Sequence, residues 1–119
     1  MKPTFKAQPM QVQVPATSAN LGPGFDCLGL ALNMHDRYMA QVMDEPGVDI
    51  DVTGEGADNV PTTDKNLVIK AMYKGFDFLG GRPRGIALRQ LNVIPHGRGL
   101  GSSAAAIVGG FALARALVL

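Results

Sequence analysis

The chain has 119 residues, 46% of them hydrophobic, and a formal charge of +1 from 11 basic and 10 acidic side chains. That suits one small domain with a modest core and argues against a nucleic-acid surface, which would be strongly basic. The start, Met1 to Lys6, runs into polar residues instead of the apolar stretch of a secretory signal, and Cys27 is the single cysteine; a reducing, cytoplasmic location is therefore expected.

In chain order, Val12 and Val14 alternate with polar residues and predict a strand that ends at Pro15 and leads into a loop over Asn20 to Asp26. Cys27 to Leu32 is continuously apolar and Tyr38 to Met43 reads as extended. Glu45-Pro46-Gly47 predicts a turn into Val48 to Val52, an alternating, half-exposed strand. Gly54 to Thr63 reads as a loop. Asp64 then caps a predicted helix reaching about Gly80, with Leu67, Ala71, Met72, Phe76 and Leu79 inward. Gly80-Gly81-Arg82-Pro83 ends it.

Gly85 to Ile94 predicts a last strand, and its apolar phase changes between Leu88 and Leu91, which predicts a bulge or a switch of buried face. Ala104 to Leu119 has Arg115 as its single charge and predicts a helix buried on most sides. Gly109 and Gly110 interrupt it too early for a membrane span, which needs about 20 apolar residues, and they predict close packing against a sheet. The helix stops without a Gly, Asn or polar tail, so the natural chain is expected to continue. Strands first, then helix, strand and helix, favour an α+β fold in one domain over residues 1–119.

Pro95 to Ala106 reads P-H-G-R-G-L-G-S-S-A-A-A, a glycine-rich turn between strand and helix. Gly97, Gly99 and Gly101 let a ligand approach the main chain, and the unpaired amides of a helix entrance favour an anion such as phosphate. The competing reading is a tight turn in which Ser102 or Ser103 only caps the helix. Three glycines spaced two apart exceed what one cap needs. Gly99-x-Gly101-x-x-Ala104 also fits the relaxed dinucleotide fingerprint, but no acidic residue follows it to bind a ribose. The lysine-containing nucleotide loop is excluded because no lysine occurs after Lys74. Charge neutralisation falls to the amides, Arg98 and a cation.

The pattern P-x-x-x-G-L-G-S-S-A-A, present from Pro95 to Ala105, resembles the second motif of the GHMP kinases. Pro15 to Leu30, P-A-T-S-A-N-L-G-P-G-F-D-C-L-G-L, resembles the amino-terminal signature of their homoserine kinase branch. Thr17 to Asp26 speaks against the sugar and mevalonate branches. The resemblance implies the GHMP-kinase nucleotide-binding domain, a mixed sheet packed by helices, here incomplete. Members of the family are longer, so the chain is expected to be an amino-terminal part and inactive alone.

The resemblance further implies ATP and Mg²⁺ as cofactors and L-homoserine as the alcohol phosphorylated, giving O-phospho-L-homoserine for threonine biosynthesis. Pro95, His96, Gly97, Arg98, Gly99, Leu100, Gly101, Ser102, Ser103, Ala104 and Ala105 would surround the nucleotide, with Ser103 reaching the metal. Asn66, after Asp64-Lys65, would lie near the base or ribose. Asn20 and Asp26 would hold the substrate, Asp26 at the hydroxyl that attacks ATP; on chemistry alone, both could equally stabilise their own Gly-Pro-Gly turn. Mg²⁺ would also need a carboxylate from beyond Leu119. No membrane or nucleic-acid partner is implied, and a homodimer of the full-length protein stays open. A non-catalytic nucleotide-binding fragment, or another small-molecule kinase of the family, is the alternative. His35, His96 and Cys27 have no metal-ligand spacing.

Overall fold

Alternation of apolar and polar residues builds the sheet. The computed structural model describes residues 3–15, 35–54, 56–93 and 102–119, with backbone only for 102–104. Four strands form: β1 (Met10–Pro15), β2 (His35–Met43), β3 (Gly47–Gly54) and β4 (Gly85–Asn92). In β2, Asp36, Tyr38 and Ala40 are buried while Arg37, Met39 and Gln41 are exposed, as a strand covered on one face requires. The spatial order is β1-β2-β4-β3. β4 lies antiparallel to β2 and parallel to β3. A parallel pair needs a crossover, and helix α1 (Leu67–Phe78) supplies it; helix α2 (Ser102–Leu117) follows β4. The fold is the expected α+β mixed sheet with helices. The turn before Gly47 joins no hairpin, because β4 inserts between β2 and β3.

Both helices cover the same face. Tyr38, Ala40, Ile86 and Leu88 of the sheet join Val68, Ile69, Met72 and Phe76 of α1 and Leu113, Ala114 and Leu117 of α2 in one buried cluster. Each of the larger side chains contributes about 1.5–3 kcal/mol by leaving water. Glycines set how closely the layers approach. A methyl group at Gly109 would overlap the Tyr38 ring, and one at Gly110 would sit 2.5 Å from both the Ala71 side chain and the Val68 carbonyl. The glycine pair thus packs against the sheet, as expected, and also against α1. Gly75 faces Ala114 as Ala71 faces Gly110, so the two helices run parallel and start at the same end.

Two local expectations are corrected. The cap of α1 is Asn66, whose side chain accepts from the Val68 and Ile69 amides, whereas Asp64 is exposed. Starting there turns Val68, Ile69, Met72 and Phe76 to the core. Leu67 is left exposed and Leu79 half-buried. The helix ends at Phe78, where Gly80 takes φ 116° and the Gly81 amide returns to the Phe76 carbonyl at 2.8 Å.

β4 has neither bulge nor face switch. Its pairing is unbroken from Gly85 to Leu91 on β2 and from Gly85 to Asn92 on β3. Ile86, Leu88, Gln90 and Asn92 all point inward and Leu91 points out. The face keeps its phase and turns polar. The predicted Cys27 to Leu32 strand lies outside the described residues, and Asn92 is the last strand residue of β4.

At the far end, the Lys6 amide donates to the Leu117 carbonyl at 2.8 Å and the Leu119 amide to the Thr4 carbonyl at 2.9 Å. Phe5 meets Phe76 edge to face with centroids 5.5 Å apart. No described helix is long and apolar enough to cross a membrane.

Gly110→Ala should lower stability in spite of the roughly 1 kcal/mol that alanine gains in helix propensity, because the overlap is with α1 backbone as well as side chain. A net loss of about 1–3 kcal/mol is expected in a denaturant titration. An unchanged midpoint would mean that the helices separate at no cost.

Candidate functional site

One end of the sheet collects the described residues that flank the motif-bearing segments. β1 ends at Pro15, opposite His35, where β2 begins; the residues on either side of 16–34, the segment with Asn20 and Asp26, therefore meet there. β4 ends beside the start of β2, Leu91 pairing with Arg37. Residues 94–101 leave from Val93 and return at Ser102, the first residue of α2. β3 ends there too, with Gly54 paired to Asn92. Since the helices run parallel, both bring their amino termini, the positive ends of their dipoles, to this edge.

Beneath the edge the core becomes polar. Asp36, Asn66, Gln90 and Asn92 are all buried, and buried polar groups must be paired. The Asn66 carboxamide uses its full capacity. Its oxygen accepts from Val68 N at 2.8 Å and Ile69 N at 3.3 Å, and its nitrogen donates to the Pro61 carbonyl at 2.9 Å and to Gln90 Oε1 at 3.0 Å. Gln90 Nε2 donates in turn to Asn92 Oδ1 at 2.9 Å. This ties the start of α1 to the last turn of the pleat in β4.

Asp36 forms the second group. Its carboxylate accepts from the Val93 amide at 2.7 Å and from the Tyr38 hydroxyl at 3.0 Å. Burial, then the Asp36 charge and the hydrogen bond to it, push the Tyr38 phenol far above its ordinary range, so it stays protonated and donates. Its ring rests where Gly109 has no side chain.

Of the sequence-derived site residues, Asn66 is described and its side chain is committed to the cap and to Gln90. Ser102, Ser103 and Ala104 form the first turn of α2, and Ala105 is buried in the core. Asn20, Asp26 and Pro95 to Gly101 lie outside the described residues. Sequence reasoning missed Asp36, Tyr38, Gln90 and Asn92. The signal was present in the two-residue spacing of Gln90 and Asn92 from Leu88, read instead as a phase change. Among the described residues no three His, Cys, Asp or Glu side chains gather to hold a metal.

Residues 66–118, spanning α1, β4 and α2, match the family described as GHMP kinases N terminal domain. A homoserine kinase of Streptomyces coelicolor is 51% identical over 117 residues, 98% of this chain and 38% of the relative. The matched residues are those of a GHMP kinase N-terminal domain. The chain spans little more than a third of the length of the curated relatives it matches. A crystal structure of homoserine kinase from Cytophaga hutchinsonii superimposes with a TM-score of 0.67 at 32% identity, over 88% of this chain and 33% of that one. Mevalonate kinase of Methanococcus jannaschii gives a TM-score of 0.58 at 15% identity, over 92% and 39%; that likeness speaks for the fold alone. The matched segment holds both the Asn66 cap and the entry to α2.

Asn66→Asp tests the polar floor. The oxygens facing Pro61 and Gln90 offer a carboxylate no proton, so burial raises its folded pKa above the unfolded value of about 3.9. The pH-dependent part of the destabilisation is absent below that value and grows as pH rises through it until the raised folded pKa is passed. Stability relative to the parent should therefore fall between about pH 4 and neutrality. A pH-independent difference in thermal midpoint would contradict the pairing described.

Proposed function

We propose that the protein containing this chain transfers the γ-phosphoryl group of ATP to the hydroxyl of L-homoserine. The observation that carries this reading is the convergence on one end of the sheet of the described residues that flank 16–34 and 94–101, in a chain half identical to homoserine kinases. Phosphoryl transfer depends mainly on alignment and on stabilising spread negative charge. The main-chain amides of Gly97 to Ser103, the dipole of α2 and the Arg98 guanidinium would hold the β- and γ-phosphates. Asn20 and Asp26 would hold the amino acid, with Asp26 accepting a hydrogen bond from its hydroxyl and aiming the oxygen at phosphorus.

Mg²⁺, when bound, supplies charge neutralisation on the phosphates. Ser103 could offer it one oxygen; the cation takes about six, so phosphate oxygens, water and a carboxylate from the rest of the polypeptide would complete the set. On this reading the enzyme is cytoplasmic, and Asn66 serves the nucleotide by fixing the start of α1. Phe78, 91% exposed, lies with Leu79 and Phe111 on a groove between the helices. An apolar surface of this kind supports the second reading, in which the 119 residues alone are an inactive piece.

Phosphate transfer should be assayed with homoserine, threonine and mevalonate, on this chain and on the polypeptide extended to the length of its relatives. Turnover of homoserine is expected in the extended protein and none in the short one. Preference for mevalonate would move the protein to another branch.

Asp26→Asn in the extended enzyme should cut kcat by on the order of 10²-fold or more while the ATP KM stays within a few-fold. An unchanged kcat would remove Asp26 from the reaction.

A further inference from the structure

Among the described residues, Asp36 is the one carboxylate buried from solvent, at 1% exposure. A buried charge is costly unless firmly paired, and the proposed transfer makes no direct use of this one. Its position accounts for it. Asp36 Oδ1 takes the Val93 amide at 2.7 Å across 57 positions of sequence, a short, charge-assisted bond. Val93 is the last described residue before the 94–101 segment, two positions ahead of Pro95. Asp36 Oδ2 takes the Tyr38 hydroxyl, and the Tyr38 ring packs against Gly109 of α2, the helix that the same segment enters. Through two hydrogen bonds and one packing contact, a single carboxylate holds the strand before the glycine-rich turn and the helix after it.

We infer that Asp36 is a positioning residue for the nucleotide: it fixes the spacing between the end of β4 and the start of α2, and with it the span across which the Gly97 to Ser103 amides must meet the phosphates. This rests on the phosphate role proposed for that turn. On this reading Asp36 acts through the main chain and the Tyr38 ring, not by contact with substrate or nucleotide. Removing its carboxylate should loosen ATP more than homoserine, because the return of residues 16–34 at His35, next to Asp36, is held by the β1–β2 ladder and not by the Val93 bond.

The experiment uses the full-length enzyme with Asp36→Ala, Tyr38→Phe and Val93→Pro. The readouts are KM for ATP, KM for homoserine, kcat, and the dissociation constant of a non-hydrolysable ATP analogue by calorimetry. Loss of a hydrogen bond to a charged group weakens binding by about tenfold. Asp36→Ala should raise both the ATP KM and the analogue constant by that factor, with the homoserine KM within twofold. Val93→Pro removes the same bond from its donor side and should act alike, so a poorly folding Asp36→Ala leaves the comparison intact. Tyr38→Phe keeps the Val93 bond and the ring against Gly109 and should change ATP binding less than threefold.

A merely structural role would shrink the active fraction, lowering apparent kcat with both KM values unchanged. That pattern, or ATP binding within twofold of the parent in both bond-removing variants, overturns the inference. The functional reading fails separately. If the parent enzyme does not phosphorylate homoserine, the analogue constants still judge Asp36; a parent that binds no ATP analogue overturns both.

Discussion

The missing side chains at positions 109 and 110 are the constraint on which this architecture depends. They let α2 lie against two surfaces at once, the Tyr38 ring of the sheet and the Val68 to Ala71 turn of α1. A larger residue at either site would lift the helix off one partner. The contact pairs advance together along both helices, so the helices lie parallel, as their attachment to the parallel strands β3 and β4 requires, and their positive ends emerge together at one edge. A loop entering α2 thus inherits its position from a contact two turns further along the helix.

That edge is where packing hands over to hydrogen bonding. Ile86 and Leu88 are held by close packing, which tolerates small shifts; Gln90 and Asn92, on the same face of the same strand, are held by directional bonds, which do not. The chain spends buried carboxamides and a carboxylate here at a desolvation cost of about 1–3 kcal/mol for each group left unpaired. What they return is the fixing of particular main-chain amides, at positions 68, 69 and 93.

Much of this was legible in the sequence because its causes are local. The strand around Val12 and Val14, the alternation of Val48 to Val52, the α+β order and the packing role of the glycine pair follow from period and residue type. The cap of α1 was not, since Asp64 and Asn66 are both good caps and only the tertiary partner Gln90 selects between them. The phase of β4 was misread for a related reason. Period analysis counts apolar residues, so an inward face that becomes polar at Gln90 looks like a strand that has turned over, with Leu91 taken for the core residue it is not. The glycine-rich turn and the Asn20 to Asp26 segment were legible as motifs, while Asp36 was not, because its partner Val93 is distant in sequence and a lone Asp in a strand reads as surface.

The misreading at Gln90 has a physical lesson for sites of this kind. A floor of leucines at the end of β4 would bury more apolar area and satisfy no amide, leaving Val93 N and the first amides of α1 to find acceptors in water. The polar floor gives up some hydrophobic stabilisation in exchange for geometry. In the phosphoryl transfer proposed for the whole protein, where an alcohol oxygen must meet phosphorus in line with little covalent work left to the protein, geometry is the larger share of what a scaffold can contribute. The place where the binary pattern breaks in β4 is thus also the place where the strand stops serving the core and starts serving the loop that follows it.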